Sequence, residues 1–284
     1  MPTWVLFDKN ALSPNKNPHT WEGSLQTEML SASLIWELTK RDFSERFAGS
    51  VLGSLWALIW PLVNLAIYII IFAKLMGARL PGKSEVYSYA IYVTVGLVPW
   101  AALASSISRS SSVFLDKKHL VSRIKISLPS LLVYINLSET ITFLFSMFFF
   151  FVFLFFTDYK FTFNIILVPF IYFLQQLFAF GLGLLAATLT VFVRDIKEVI
   201  GVILQFWFWF TPIIYVRDIL PDAVKKIMVF NPAYIIIESY QRIFVFGDDP
   251  SYQSLIVLTL LTHVMILISY LAFRILEKDL RDFL

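Results

Sequence analysis

Long apolar runs, each interrupted only by a short charged or Pro-containing connection, leave this chain few ways to fold. Several reach the roughly 20 residues that carry a helix across a bilayer. The runs fall at residues 51–76, 87–114, 130–156, 161–192, 199–216 and 252–273. Between them they claim most of the 284 residues, and the composition agrees: 58% of residues are hydrophobic, 29 are Phe, and only 15% are charged. A soluble domain is typically about 25% charged. So little polar surface cannot cover so large an apolar core, and lipid must serve as part of the solvent. The fold class expected is an all-α integral membrane protein with six transmembrane helices per chain.

The remaining segments are polar or amphipathic. Residues 1–28 read as a polar extension rather than a signal peptide, because they hold Pro14 and Pro18 and no continuous apolar core. Residues 29–48 place Leu30, Leu34, Leu38, Phe43 and Phe47 at helical spacing among Glu37, Lys40, Arg41, Asp42, Glu45 and Arg46, the pattern of an amphipathic interfacial helix. A basic loop at 115–129 joins the second and third spans. The stretch 217–251 is half apolar and broken by Pro221, Pro232 and Pro250, which predicts two short re-entrant or surface helices around Asn231-Pro232. Lys and Arg number thirteen on the side holding the termini, the far N-terminal tail excluded, against eight on the other. That bias places both termini in the cytoplasm.

Chemical motifs are sparse. There is no cysteine, so disulfides and thiolate chemistry are excluded. Gly77 to Ser84, "GARLPGKS", matches the Gly-x-x-x-x-Gly-Lys-Ser phosphate loop. Such a loop works only between a buried strand and a helix N-terminus. Here it joins two spans on the outer side, so the match is fortuitous and no nucleotide is expected there. His19, His119 and His263 are scattered, and no metal site is expected. Glu139 and His263 lie well inside spans, where ionisable groups are functional candidates, although Glu139 also suits a hydrogen-bonded structural role. No catalytic residue is assigned. The net charge is only +3, and no nucleic-acid partner is expected.

Two spans carry an unusual face. Gly49, Gly53, Trp56, Trp60, Asn64 and Tyr68 share one stripe of the first, and Gly201, Gln205, Phe208, Trp209 and Pro212 share one of the fifth. Aromatic rings suit the C–H faces of sugars, so the stripes could line a conduit. They could equally be helix contacts through small residues with interfacial Trp anchors. Arg194, Asp195, Lys197 and Glu198 form a charged knot between the fourth and fifth spans. Their three- and four-residue spacing allows a short self-paired helix that could dock a partner.

"LGSLWALIWPLVN", "VFVRDIKEVIGVILQFWFWFTPIIY" and "FNPAY" resemble the type-2 ABC exporter permeases, in particular those that export lipid-linked polysaccharide such as O antigen, capsule or teichoic acid. The likeness runs from about Leu30 to the C-terminus, and makes 49–284 a six-span permease domain. It implies a homodimer in a bacterial inner membrane, with two cytoplasmic ATPase subunits that bind ATP and Mg, and no cofactor in this chain. Coupling to the ATPase would involve Glu37, Arg41, Lys117, Lys118, His119, Arg123 and the 194–198 knot. Trp56, Trp60, Asn64, Tyr68, Gln205, Phe208 and Trp209 would line the substrate path, and Asn231-Pro232 would cap its outer gate. A permease for a smaller lipid or drug is the alternative. An ATP-independent channel or ion-coupled transporter is the rival from another class, and would want paired intramembrane charges. A membrane-embedded glycan-modifying enzyme would want a nucleophile–base pair or a metal.

Overall fold

The computed structural model describes residues 21–46, 49–71, 80, 87–121, 127–157 and 159–283. The Gly77–Ser84 match, apart from Leu80, and Arg123 lie outside these residues, as do residues 1–20. Helix is the regular structure of the described residues, which hold no strand: α1 (Trp21–Glu45), α2 (Trp56–Tyr68), α3 (Ser88–Asp116), α4 (Lys118–Val121), α5 (Ser130–Phe155), α6 (Val168–Phe192), α7 (Ile196–Trp209), α8 (Asp222–Met228), α9 (Pro232–Gln241) and α10 (Tyr252–Phe283). Four of them are long and apolar enough to cross a bilayer, namely α3, α5, α6 with the 3-10 turn that precedes it, and α10.

Among the described residues, the helices at the expected first and fifth spans are shorter. A π turn extends α2 to Ile71, where the described residues pause, so its 16 residues measure roughly 24 Å. The 14 residues of α7 measure roughly 21 Å, against a hydrocarbon core of roughly 30 Å. Its stop is chemical: Pro212 offers no N–H to a further turn and disfavours helical geometry at Thr211. At its other end α7 begins at Ile196, with only three residues separating it from the end of α6 at Phe192. The charged knot is therefore a tight turn plus the first turn of α7, not a separate projecting helix.

α6 is the centre of the bundle, with α3 on one side and α10 on the other. Glycine makes both contacts close. A Cβ at Gly183 would come within 2.6 Å of Ser110 Cβ on α3, and one at Gly181 within 3.3 Å of the Ile266 backbone on α10. α9 is inserted among α3, α6 and α10, with Ala233 to Ile237 all buried. The glycines of the two stripes act differently. Gly49, Gly53 and Gly201 would meet nothing within 4 Å, so small-residue packing within one chain does not account for them.

α1 also departs from expectation. It starts at Trp21, within the supposed extension, and its Leu34, Ile35 and Leu38 pack on a protein core of Phe114, Leu128, Leu131, Leu132 and Phe273. These three side chains turn toward the bundle, while Trp36 on the same helix stays exposed.

Candidate functional site

The stripe of α2 opens on a cavity of about 270 Å³ between α2, α3 and α5. Trp60, Asn64 and Tyr68 form one wall, and Ser105, Thr142 and Ser146 give the opposite wall hydroxyl groups. Trp60 is 57% exposed and leans on half-buried Trp56, with ring centroids 6.1 Å apart; Trp56 Nε1 donates to Ser50 Oγ at 2.8 Å. Asn64 is exposed and Tyr68 half-buried. Three of the four α2 residues assigned to the path thus meet at one cavity.

Arg46 and Glu139 close the cavity at one end. They belong to a cluster of four charges that packs α1 against α3 and α5. Arg46 Nη2 and Arg109 Nη1 both donate to Glu139 Oε1 at 2.6 Å. Arg109 Nη2 donates to Asp42 Oδ1, Ser138 Oγ donates to Asp42 Oδ2 at 2.6 Å, and Arg46 Nη2 donates to Ser138 Oγ at 3.0 Å. Burial opposes ionisation of Asp42, but the Ser138 hydroxyl and the two guanidinium groups outweigh it and hold its carboxyl below the usual range. Glu139, with a side chain 4% exposed, therefore has the structural role that its position allowed. Asp42 and Arg46, which the helical pattern placed on the polar face of α1, point inward. The partners lie 92 and 93 residues apart in sequence, so no local pattern could have revealed the cluster.

The stripe of α7 divides. Trp209 is 60% exposed and Gln205 is exposed, whereas Phe208 turns half-buried toward α3, its ring 5.7 Å from Trp100. Trp207 has an anchoring role: it meets Trp100 and Phe178 edge-on, and its Nε1 donates to Asn231 Oδ1 at 2.7 Å. Asn231 is also the N-cap of α9, accepting from the Ala233 and Tyr234 amides, with Pro232 in the first turn. Asn231, assigned with Pro232 to the outer gate, therefore ties the end of α7 to the start of α9. Within one chain α2 packs mainly on α5 and α7 on α3, and no residue of α7 lines the α2 cavity.

Of the residues assigned to ATPase coupling, Lys117, Lys118 and the foot of α6 beside the knot meet α1 and the end of α10 at one end of the bundle. Lys118 Nζ donates to the Phe283 carbonyl at 3.4 Å, and Phe283 meets Phe192 of α6, next to the knot, at 5.4 Å. Lys117 sits 3.7 Å from Glu45 of α1 and over the Tyr134 ring. Glu37 pairs with Lys40 at 2.6 Å on the exposed face of α1, and Arg41 with Glu45, which holds the Glu45 carboxyl below its usual range. His119 is exposed on α4. Arg194, Asp195, Lys197 and Glu198 are all exposed and form no ion pair with one another, so the expected self-pairing is absent. Asp195 occupies the N-cap position of α7 without a side-chain capping bond, and Glu198 lies in its first turn, where a carboxylate complements the helix dipole. Among the described residues no group of three or more His, Cys, Asp or Glu could hold a metal.

Apolar helices long enough to cross a bilayer mark an integral membrane protein, and the family that the chain matches makes it a membrane subunit of the transport class. The chain belongs to the ABC-2 type transporter family, which matches residues 33–245. It is 25% identical over 238 residues to the O-antigen export system permease protein RfbA of Myxococcus xanthus, covering 82% of this chain and 88% of that one. Two proteins of the same name from Klebsiella pneumoniae are 27% and 28% identical over 220 residues, covering 75% of this chain and 81% of theirs.

Proposed function

We propose that this chain is the permease of an ATP-driven exporter that carries a lipid-linked polysaccharide of the O-antigen type across a bacterial inner membrane. The observation that carries the reading is the open face of α2, where Trp60, Asn64 and Tyr68 meet hydroxyl-bearing walls at the cavity. Aromatic faces with alternating donors and acceptors suit a chain of sugar residues, which needs contact at each position and deep trapping at none. The names of the three relatives support the same substrate class.

The working unit is a homodimer with two ATPase subunits that bind ATP and Mg. A second copy is called for because α2 and α7 each leave an apolar and aromatic face uncovered, and a path lined by both needs a facing partner. In that unit α2 and α7 complete a six-span topology, with termini and basic end in the cytoplasm and α8 and α9 outside. ATP-driven movement enters at Lys117, Lys118 and His119 and at α1, and the 194–198 turn braces the foot of α6 and α7. An ion-coupled mechanism is disfavoured because the buried Glu139 is already bonded to two arginines, while His263 lies exposed against the Thr259 carbonyl of its own helix.

Trp60→Ala and Trp209→Ala test the path. Each should reduce the surface appearance of the glycan several-fold while the permease still assembles with its ATPase, since both rings are exposed and bear little of the fold. Unchanged export in both variants would sink the reading.

A further inference from the structure

The charge cluster stands between two chambers. Arg46 and Glu139 line the α2 cavity, whereas Asp42 and Arg109 line a second chamber of about 200 Å³, reached from the basic end past Asp116 and Lys117. The cluster is thus a partition, made half by α1 and half by the bundle.

How the charges are shared matters. The C-terminal end of α1 supplies Asp42 and, in the residue that follows the helix, Arg46, paired at 3.3 Å. The bundle supplies Arg109 and Glu139, paired at 2.6 Å. Across the seam run Arg46 to Glu139, Arg109 to Asp42, and the Ser138 hydroxyl to Asp42. A buried ion pair is hard to break because a lone charge remains behind. Here no lone charge would remain: each half is neutral and keeps its own pair after separation. The chain beyond α1 also permits movement. Gly49 (φ 82°) and Gly53 (φ 50°) lie in the left-handed region between α1 and α2, and nothing crowds either of them. The apolar contact at Leu34, Ile35 and Leu38, one to two turns back along the helix, gives α1 a pivot on the bundle.

We propose that the C-terminal end of α1 is a latch that shuts the cavity at its basic end, and that it opens by splitting the four-charge cluster into two intact ion pairs. This rests on the reading that the cavity belongs to the substrate path. It adds how access from the cytoplasmic side is controlled, and it gives the movement of α1 a direct effect on the cavity.

The absence of cysteine from the chain allows a clean test. Ser105→Cys places a single thiol on the cavity wall of the full-length chain in inverted membrane vesicles. A membrane-impermeant, charged maleimide added from the cytoplasmic side reports whether the latch is shut. With the cluster intact, labelling should be slow. Combining Asp42→Arg with Arg46→Asp keeps the helix pair but sets like charges across the seam, and should speed labelling about tenfold by raising the open population. Adding Arg109→Glu and Glu139→Arg restores complementarity and should return labelling to within about twofold of the start, as coupling across the seam requires. Equal labelling before and after the first inversion overturns the proposal. So does fast labelling that the second inversion fails to reverse, which is what a misfolded variant would give. No glycan is present in the assay, so its outcome is independent of the Trp60 and Trp209 export result.

Discussion

α3 and α10 are both spanning helices, and they invert the rule learned from soluble proteins. The most apolar 18-residue window of α3 has a mean hydropathy of 1.7, the lowest of the four, yet 72% of it is buried. That of α10 has the highest, 2.3, and only 22% is buried. In water the apolar face turns inward; in lipid it has no reason to, and the polar face is the one that needs partners. The inner surface of α3 carries Ser106, Ser110, Ser111, Thr94 and the cluster arginine Arg109. The outer surface of α10 carries Ile256, Leu260, Val264, Leu267, Leu271 and Ile275 in one helical stripe. What holds the bundle is therefore close packing and polar contact, and apolar content ranks exposure to lipid.

The largest test of that contrast lies at Gly183, where α6 meets α3. Gly183→Val should destabilise the protein by about 2–3 kcal/mol, seen as a lower midpoint of thermal unfolding in detergent, because the new Cβ would sit on Ser110 with no flexible chain end to yield. An unchanged midpoint would mean that α3 and α6 are not in close contact. A smaller loss is expected from Trp207→Phe, which keeps the ring against Trp100 and Phe178 but removes the donor to Asn231. About 1 kcal/mol should go, and the link between α7 and α9 should loosen, measurable as faster amide exchange at the start of α9.

The long spans were legible because hydropathy needs no knowledge of neighbours. α5 runs Ser130–Phe155 where 130–156 was expected, and α3 Ser88–Asp116 where 87–114 was expected. The α2 stripe was legible for a related reason: Trp60, Asn64 and Tyr68 recur every four residues on one helix, so local period placed them together. Pairwise contacts at long separation left no such trace. Asp42 and Arg46 look like any polar pair on α1 until Arg109, Ser138 and Glu139 are brought beside them. The aromatic block 206–210 sent a misleading signal, since helical geometry alone grouped Phe208 with Trp209. In the fold Trp100 draws Phe208 inward and Asn231 claims Trp207. Gly183, where an added Cβ would meet Ser110 at 2.6 Å, stands in a Gly-Leu-Gly sequence that hydropathy passes over.

The smallest effect is expected on α10, and it is the one best able to break the contrast. Leu260→Ala removes most of an exposed side chain from the lipid-facing stripe. In a soluble core such a truncation costs about 2–5 kcal/mol, because the lost contacts are not replaced and a void remains. At a lipid-facing position acyl chains or detergent fill the space, so the midpoint should move by no more than about 0.5 kcal/mol, the usual range for a surface site. Leu258→Ala, two residues away and fully buried, supplies the matched control and should fall in the larger range. Should Leu260→Ala cost as much as Leu258→Ala, a protein surface must cover the stripe in the assembled state. A second copy or another subunit would then lie against α10, and its high hydropathy would mark an interface instead of a lipid face.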